Sequence, residues 1–212
     1  MKIQFDSSLK YQEKAIESIV NIFEGQEICQ SNFTVFNAGS KGQKSMYDYN
    51  DLGIGNRLEL LDDELLINIQ NIQLKNGLPQ SKKLNSMDFS VEMETGTGKT
   101  YVYLKSIFEL NSKYGFTKFI IVVPSIAIKE GTYKTLEITK EHFKSQFDNV
   151  NYDYFVYDSS NLEQVRDFAT SNEIRIMVIN IDAFRKSFSD TTKDTKANII
   201  HRQNDRLNGQ KP

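Results

Sequence analysis

Eight consecutive residues carry the side chains and glycines that a phosphate-binding loop needs. They read Met93-Glu94-Thr95-Gly96-Thr97-Gly98-Lys99-Thr100. The two glycines let the backbone turn so that several N–H groups point into one concavity, which attracts phosphate oxygens where it opens onto a helix N-terminus. The Lys99 ammonium can reach the β- and γ-phosphates of a nucleotide, and the Thr100 hydroxyl can coordinate Mg²⁺. The spacing therefore predicts a triphosphate site formed by Thr95, Gly96, Thr97, Gly98, Lys99 and Thr100, with Lys99 and Thr100 as the candidate catalytic residues.

The sequence on either side of the loop fits the strand and helix that such a loop requires. Residues Asp88 to Met93 alternate apolar with polar, which is typical of a short strand. After the loop, apolar residues recur at helical spacing up to Tyr114-Gly115, where the run ends. The alternative, a chance glycine turn that caps a helix, is less favoured because the glycines, the lysine and the threonine all fall at the needed offsets.

Composition limits the classes of protein and of partner. The chain has 212 residues, 39% of them hydrophobic, which suits one domain or one domain with an appendage. Its net charge is −2. A domain that binds nucleic acid through its overall charge is usually strongly basic, so any contact with DNA must come from a local patch.

The cysteine and histidine content argues against disulfides and metal clusters. Cys29 is the single cysteine and His142 and His201 are the only histidines, which excludes an internal disulfide and disfavours a zinc site. The start of the chain turns polar at once, unlike a signal peptide, and no apolar run approaches the ~20 residues of a membrane span. We therefore expect a cytoplasmic protein without a membrane partner.

The segment before the loop reads as two helices around an irregular insertion. Leu9 to Glu24 has an apolar face and stops at Gly25. Residues 26–56 are polar and rich in glycine, and we expect an irregular insertion with a short strand at Phe33 to Phe36. A second helix is predicted from Leu58 to Lys75. These parts make up the expected N-terminal region, residues 1–87.

The segment after the loop alternates strands with helices, which predicts a parallel sheet. Strands are expected at 118–123, 152–157 and 174–179, the first of them apolar enough to be covered on both faces. Helices are expected at 126–147, in two pieces around Gly131, and at 162–170. The predicted fold class is α/β, a phosphate-loop, mostly parallel sheet flanked by helices. We expect this domain to span residues 88–185 and a polar, basic tail to span residues 186–212.

Three further positions have both a functional and a structural interpretation. Gln12 lies in a segment similar to the adenine-reading glutamine motif of superfamily 2 helicases, or it is an ordinary residue of an amphipathic helix. Pro124, Ser125, Ile126 and Ala127 follow a strand and could hold a DNA phosphate, or Ser125 is an ordinary helix N-cap. Asp182 follows the last strand as a magnesium-binding aspartate would, but it lacks a neighbouring glutamate.

The chain resembles the restriction subunit of type III restriction-modification enzymes. The loop matches x-x-T-G-x-G-K-T, the helicase variant, since Met93 stands where the stricter pattern has glycine. The more discriminating likeness is the run from Phe119 to Gly131, which contains Val-Pro-Ser-Ile-Ala-Ile. Further likeness lies in Leu136 to Phe143 and Asn180 to Phe184, and it is weakest over residues 26–56.

The resemblance implies a RecA-like superfamily 2 motor that translocates on DNA and is coupled to DNA cleavage in the full protein. ATP and Mg²⁺ would be the cofactors, with Mg²⁺ on Thr100. Double-stranded DNA and a modification (methyltransferase) subunit would be the partners. By motif match, Gln12 would read adenine and Pro124 to Ala127 would touch the DNA backbone.

One family motif has no counterpart here. No Asp-Glu pair follows residue 100, although the family places one after an apolar strand to position water and Mg²⁺. The resemblance implies that this pair, a second motor domain and a nuclease lie beyond residue 212, so we expect a fragment or a truncated reading frame, with the sheet incomplete at the C-terminus. The alternatives are a nucleotide-binding remnant without turnover, another superfamily 2 DNA helicase, or an unrelated phosphate-loop ATPase or kinase.

Overall fold

The computed structural model describes residues 9–35, 51–158 and 160–183. The described residues fall into two compact units. Among these residues, the first unit takes in 9–33, 54–117 and 139–151, and the second takes in 34–35, 51–53, 118–138, 152–158 and 160–183. The predicted tail from residue 186 lies outside the described residues.

Three helices form the frame of the first unit. They are α1 (Lys10–Val20), continued by a 3-10 turn (Asn21–Phe23), α2 (Asp62–Lys75) and α3 (Lys99–Tyr114). Each confirms a predicted helix, although α1 and α2 are shorter than expected. Gly25 and Gly115 adopt positive φ where the predicted helices stop, a conformation that glycine tolerates best. Glu64 Oε2 accepts a hydrogen bond from the Leu61 N–H at 2.8 Å, which helps to fix the start of α2.

Helices α1 and α3 lie side by side and run in the same direction. At their C-terminal ends the Tyr114 hydroxyl donates to the Val20 carbonyl at 3.1 Å. The Phe23 and Phe116 rings meet edge to face there, with centroids 5.3 Å apart. At their N-terminal ends Gln12 contacts the loop that precedes α3. Because both ends are fixed, the start of α1 is held beside the phosphate loop.

An aromatic cluster closes the core of the first unit. It forms where α3 meets the last part of α4 (Ile126–Gln146). Phe143 is completely buried, and its ring stacks on Phe108 with centroids 4.8 Å apart and on Tyr101 at 5.4 Å. Stacked aromatic pairs stabilise a fold by more than the burial of their apolar area alone. The cluster therefore anchors the helix that carries Lys99 and Thr100.

His142 makes the stability of this cluster depend on pH. Its Nε2 lies 3.0 Å from the Tyr101 hydroxyl, and burial, with a smaller contribution from Lys105, holds the pKa of His142 below its usual value of 6.5. The native imidazole is thus harder to protonate than the unfolded one. As pH falls from about 6.5 through the lowered pKa, the unfolded state binds the proton first, so stability is present above this range and is lost within it.

We therefore expect the wild-type protein to lose more stability than His142→Gln between pH 7.5 and pH 5.5. Urea unfolding across this range measures the difference. His201→Gln removes the other histidine of the chain, so that its contribution can be subtracted. Parallel loss in the wild type and in His142→Gln would contradict the assignment.

A parallel sheet forms the second unit. Its strands are β3 (Lys118–Val123), β4 (Tyr152–Val156) and β5 (Ile174–Asn180), in the order β3-β5-β4 among the described residues. Lys118 pairs with Arg175 in one ladder, and Tyr152 pairs with Ile174 in the other. The central strand is the most buried, with Ile176 and Val178 at zero exposure. The predicted fold class, α/β with a parallel sheet flanked by helices, is confirmed.

Helices contact this sheet on the edge strand β4 as well as on β5. The Phe168 ring of α5 (Leu162–Thr170) packs against Phe155, with centroids 6.1 Å apart, and Tyr133 of α4 packs against Tyr154 at 5.3 Å. The bounds of α5 are those predicted. None of the described helices is both long enough and apolar enough to cross a membrane.

The strand predicted at Asp88 to Met93 is wrong. These residues have no regular secondary structure, and Phe89 and Val91 are 37% and 44% exposed. The segment does alternate apolar with polar residues. A strand also needs a neighbouring backbone with which to pair, and this segment has none among the described residues.

Three other expectations also need correction. Strand β3 is not covered on both faces in the described structure, because Ile120 and Val122 are about half exposed on a strand at the edge of the sheet. Helix α4 is continuous through Gly131, since the apolar packing of Leu136 and Phe143 outweighs the ~1 kcal/mol that a glycine costs within a helix. Residues 26–56 contain a two-stranded sheet, β1 (Gln30–Val35) with β2 (Asp51–Asn56), of which only β1 was partly predicted.

Candidate functional site

The phosphate loop bends at its two glycines. Gly96 and Gly98 have φ of +81° and +82°, in the left-handed region that other residues rarely adopt. Gly98 is the N-cap of α3, and no side chain caps the helix there. The helix therefore begins directly at Lys99, with the positive end of its dipole at the loop.

Backbone donors are available at this end of the helix. The N–H groups of Gly98, Lys99 and Thr100 have no hydrogen-bond acceptor among the described residues. The first N–H groups of any helix lack intrahelical acceptors. Oriented donors beside a helix N-terminus are the arrangement that binds phosphate oxygens. The predicted loop thus has the backbone conformation that its sequence implied.

The Lys99 ammonium folds back over its own loop. Its Nζ donates to the Glu94 carbonyl oxygen at 2.7 Å, and the Thr97 hydroxyl donates to the same oxygen at 2.7 Å. Lys99 is exposed to solvent. An ammonium has three donors, so this contact leaves two of them for another acceptor. No sequence signal marks the Glu94 contact, because a backbone carbonyl is present at every position.

Gln12 lies directly against the loop. Its Nε2 donates to the Thr97 carbonyl oxygen at 2.9 Å, while its Oε1 is buried and has no hydrogen-bond partner among the described residues. The side chain is only 6% exposed. The structure therefore brings Gln12 together with the loop from Thr95 to Thr100. Whether Gln12 also reads adenine stays a prediction.

A groove of about 1210 Å³ runs beside the loop within the first unit. Its walls come from α1, α2 and the segment from Leu78 to Thr97, and they include Tyr11, Lys14 and Gln73. This volume exceeds the ~300–1,000 Å³ of typical small-molecule pockets. A nucleotide bound at the loop would have ample room for its base here.

The residues predicted to touch DNA lie in the second unit, where β3 ends and α4 begins. Ser125 Oγ accepts a hydrogen bond from the Ile128 N–H at 3.3 Å, so this serine acts as an N-cap of α4. Ile126 is 66% exposed. The Asp182 N–H donates to Asn180 Oδ1 at 3.0 Å. The described residues contain no group of three histidine, cysteine, aspartate or glutamate side chains that could hold a metal ion.

Asp158 lies at the edge of the parallel sheet where the strands end, and sequence reasoning missed it. Asp158 follows β4, as Ser125 follows β3 and Asp182 follows β5. Because the carboxyl ends of parallel strands lie at one edge of a sheet, the three residues share that edge. Its carboxylate accepts the Ser160 N–H at 2.9 Å. Hydrogen bonds from Ser160, and the charge of Lys129, hold the pKa of Asp158 below its usual value. Its position after an apolar strand was the available signal.

The loop, the uncapped helix start and the parallel sheet define a phosphate-loop protein of the RecA-like α/β class. Residues 7–205 match the model of a protein family described as type III restriction enzyme, res subunit. The chain belongs to this family, which confirms the resemblance seen in the sequence.

Three relatives carry related names. The chain is 37% identical to the EcoP15I Res subunit of Escherichia coli, over 63% of this chain and 16% of that protein. It is 29% identical to the EcoPI Res subunit of Escherichia phage P1, over 90% and 20%. It is 43% identical to the StyLTI Res subunit of Salmonella typhimurium, over 35% and 8%. All three are described as type III restriction-modification enzymes, and the chain spans a fifth or less of the length of each.

Proposed function

We propose that this chain is the N-terminal ATP-binding part of a type III restriction subunit. In the full protein it would belong to an ATP-dependent DNA translocase motor that is coupled to DNA cleavage. The observation that carries the proposal is the loop itself, where Gly96 and Gly98 turn the backbone and the N–H groups of Gly98, Lys99 and Thr100 have no acceptor among the described residues. Family membership supports the same assignment.

ATP and Mg²⁺ fit the side chains at this loop. Lys99 is exposed and has donors to spare for the β- and γ-phosphates. Thr100 stands at the second position of α3, where its hydroxyl would coordinate Mg²⁺. When bound, Mg²⁺ would neutralise charge on the phosphate oxygens. The chain's own contribution is to orient the triphosphate through its backbone donors and Lys99.

We propose that this chain binds ATP but does not hydrolyse it at the rate of a motor. Hydrolysis needs a positioned water and charge stabilisation beyond the loop, and no Asp-Glu pair follows residue 100 in this sequence. Interactions equally strong in the ground and transition states do not speed the chemical step. We therefore expect any phosphate release by this chain to be far slower than the turnover of a motor.

Thr100→Val tests the nucleotide site. The wild type should bind ATP more tightly with Mg²⁺ than without it, and the variant should lose most of that gain because its side chain keeps the shape but has no hydroxyl. Titration of labelled ATP with and without Mg²⁺ measures the two affinities of each protein, and phosphate release is followed in the same samples. An equal Mg²⁺ effect in both proteins would contradict the Thr100 assignment. Release near ~1 s⁻¹ would contradict the absence of turnover.

Double-stranded DNA and the methyltransferase subunit are the proposed partners of the full protein. The start of α4 presents the positive end of a helix dipole and the exposed Ile126 to solvent. Ile126→Glu adds a repelling charge there without disturbing buried contacts. Salt-dependent binding of a duplex should weaken in this variant, and unchanged binding would rule out a DNA contact at Pro124 to Ala127.

A further inference from the structure

Gln12 is placed to hold one peptide unit of the phosphate loop. Its amide nitrogen reaches the Thr97 carbonyl oxygen at 2.9 Å across 85 positions of the chain. The side chain is buried, and its helix is fixed to α3 at the far end through Tyr114 and Val20. A buried side chain on an anchored helix has little freedom to move away from the carbonyl.

This contact sets the direction of a backbone donor. The described chain has no cis peptide bonds, and in a trans peptide the C=O and the following N–H point in opposite directions. With the Thr97 carbonyl drawn toward α1, the Gly98 N–H is directed to the other side of the loop. That N–H has no acceptor among the described residues.

The Gln12 amide and Gly98 are packed closely together. A Cβ added to Gly98 would lie 2.6 Å from Gln12 Nε2, nearer than real Cβ atoms approach other groups. At Gly96, which has nearly the same φ, an added Cβ would meet nothing within 4 Å. The absence of a side chain at position 98 thus lets the Gln12 amide sit against the loop backbone.

We infer that Gln12 is a positioning residue for phosphate, whatever the base. By holding the Thr97–Gly98 peptide, it keeps the Gly98 N–H oriented for a phosphate oxygen before the ligand arrives. The inference rests on the proposed nucleotide site. It differs from adenine reading because it requires no nucleobase at all.

Tripolyphosphate, which has no base, is the decisive probe. Its affinity in the presence of Mg²⁺ is measured by displacement of labelled ATP from the wild type, Gln12→Ala and Gln12→Met. Methionine preserves the length and bulk of the side chain but cannot donate. Both variants should bind tripolyphosphate about two- to tenfold more weakly, the range expected for the loss of one hydrogen bond. Glu17→Ala, an exposed change on the same helix, should leave it unchanged, and circular dichroism checks that each variant is folded.

The outcomes separate the alternatives. Weaker ATP binding with unchanged tripolyphosphate binding would overturn the inference, because Gln12 would then act on the base alone. Wild-type affinity in Gln12→Met would also overturn it, because bulk rather than the amide would hold the loop. Failure of the wild type to bind either ligand would overturn the nucleotide site itself, and the inference with it.

Discussion

Replacing Lys99 by alanine is expected to weaken ATP binding about ten- to hundredfold. Lys99 is the only side-chain cation between Thr95 and Thr100, and its ammonium already lies over the loop. A hydrogen bond to a charged group contributes ~1.5–3 kcal/mol, which corresponds to that range of affinity. The backbone donors stay in place in the variant, so weak residual binding should remain. Titration of labelled ATP against both proteins measures the ratio.

Lys113→Ala is the matched control for this prediction. Lys113 lies on the same helix, is exposed, and is near the opposite end from the loop. Removing it changes the net charge by the same amount as removing Lys99. An equal loss of affinity in the two variants would point to overall charge, and no loss in Lys99→Ala would end the phosphate-loop assignment.

Phe143→Ala is expected to have the largest effect on stability, about 3–5 kcal/mol. The ring is fully buried and stacks on both Phe108 and Tyr101, so its removal leaves a cavity in the middle of the aromatic cluster. Small domains have only ~5–15 kcal/mol of stability in total. The urea midpoint should therefore fall steeply, or the variant should be largely unfolded without denaturant.

Two further variants keep this measurement interpretable. Phe143→Leu fills part of the cavity and should lose less stability than the alanine variant. Glu141→Ala changes an exposed position of the same helix and should stay within ~0.5 kcal/mol of the wild type. If Phe143→Ala unfolded at the wild-type urea concentration, the described packing of α4 on α3 would be incorrect.

The sequence predicted the features that depend on local patterns. The loop from Thr95 to Thr100, the helix that follows it and the bounds of α5 were read from spacing alone, and the parallel strands followed from their alternation with helices. The motif of the glycine loop is defined by consecutive residues and needs no distant partner, which is why a single sequence was enough to find it.

The failures share a dependence on partners distant in the chain. Residues 88–93 have a strand's pattern but find no strand to pair with in the part of the chain that the structure describes. Strand β2 has a glycine-rich, irregular sequence and yet is paired with β1. The contact between Gln12 and the Thr97 carbonyl could not be predicted either, because every residue has a backbone carbonyl and the side chain at position 97 does not mark it as the acceptor. Pairing and tertiary contacts decided these positions, and local propensity did not.

The carbonyl of Glu94 already occupies one of the three donors of the Lys99 ammonium. A phosphate that drew the ammonium away from this oxygen, which also accepts the Thr97 hydroxyl, would replace a neutral acceptor by an ionised one. What changes is the charge of the acceptor, since a carbonyl carries a partial negative charge and a phosphate oxygen a full one. Charge-assisted hydrogen bonds are roughly twice as strong as neutral ones. We therefore expect the loop to favour ionised ligands over a nucleoside without phosphates, because the nucleoside offers Lys99 no full negative charge.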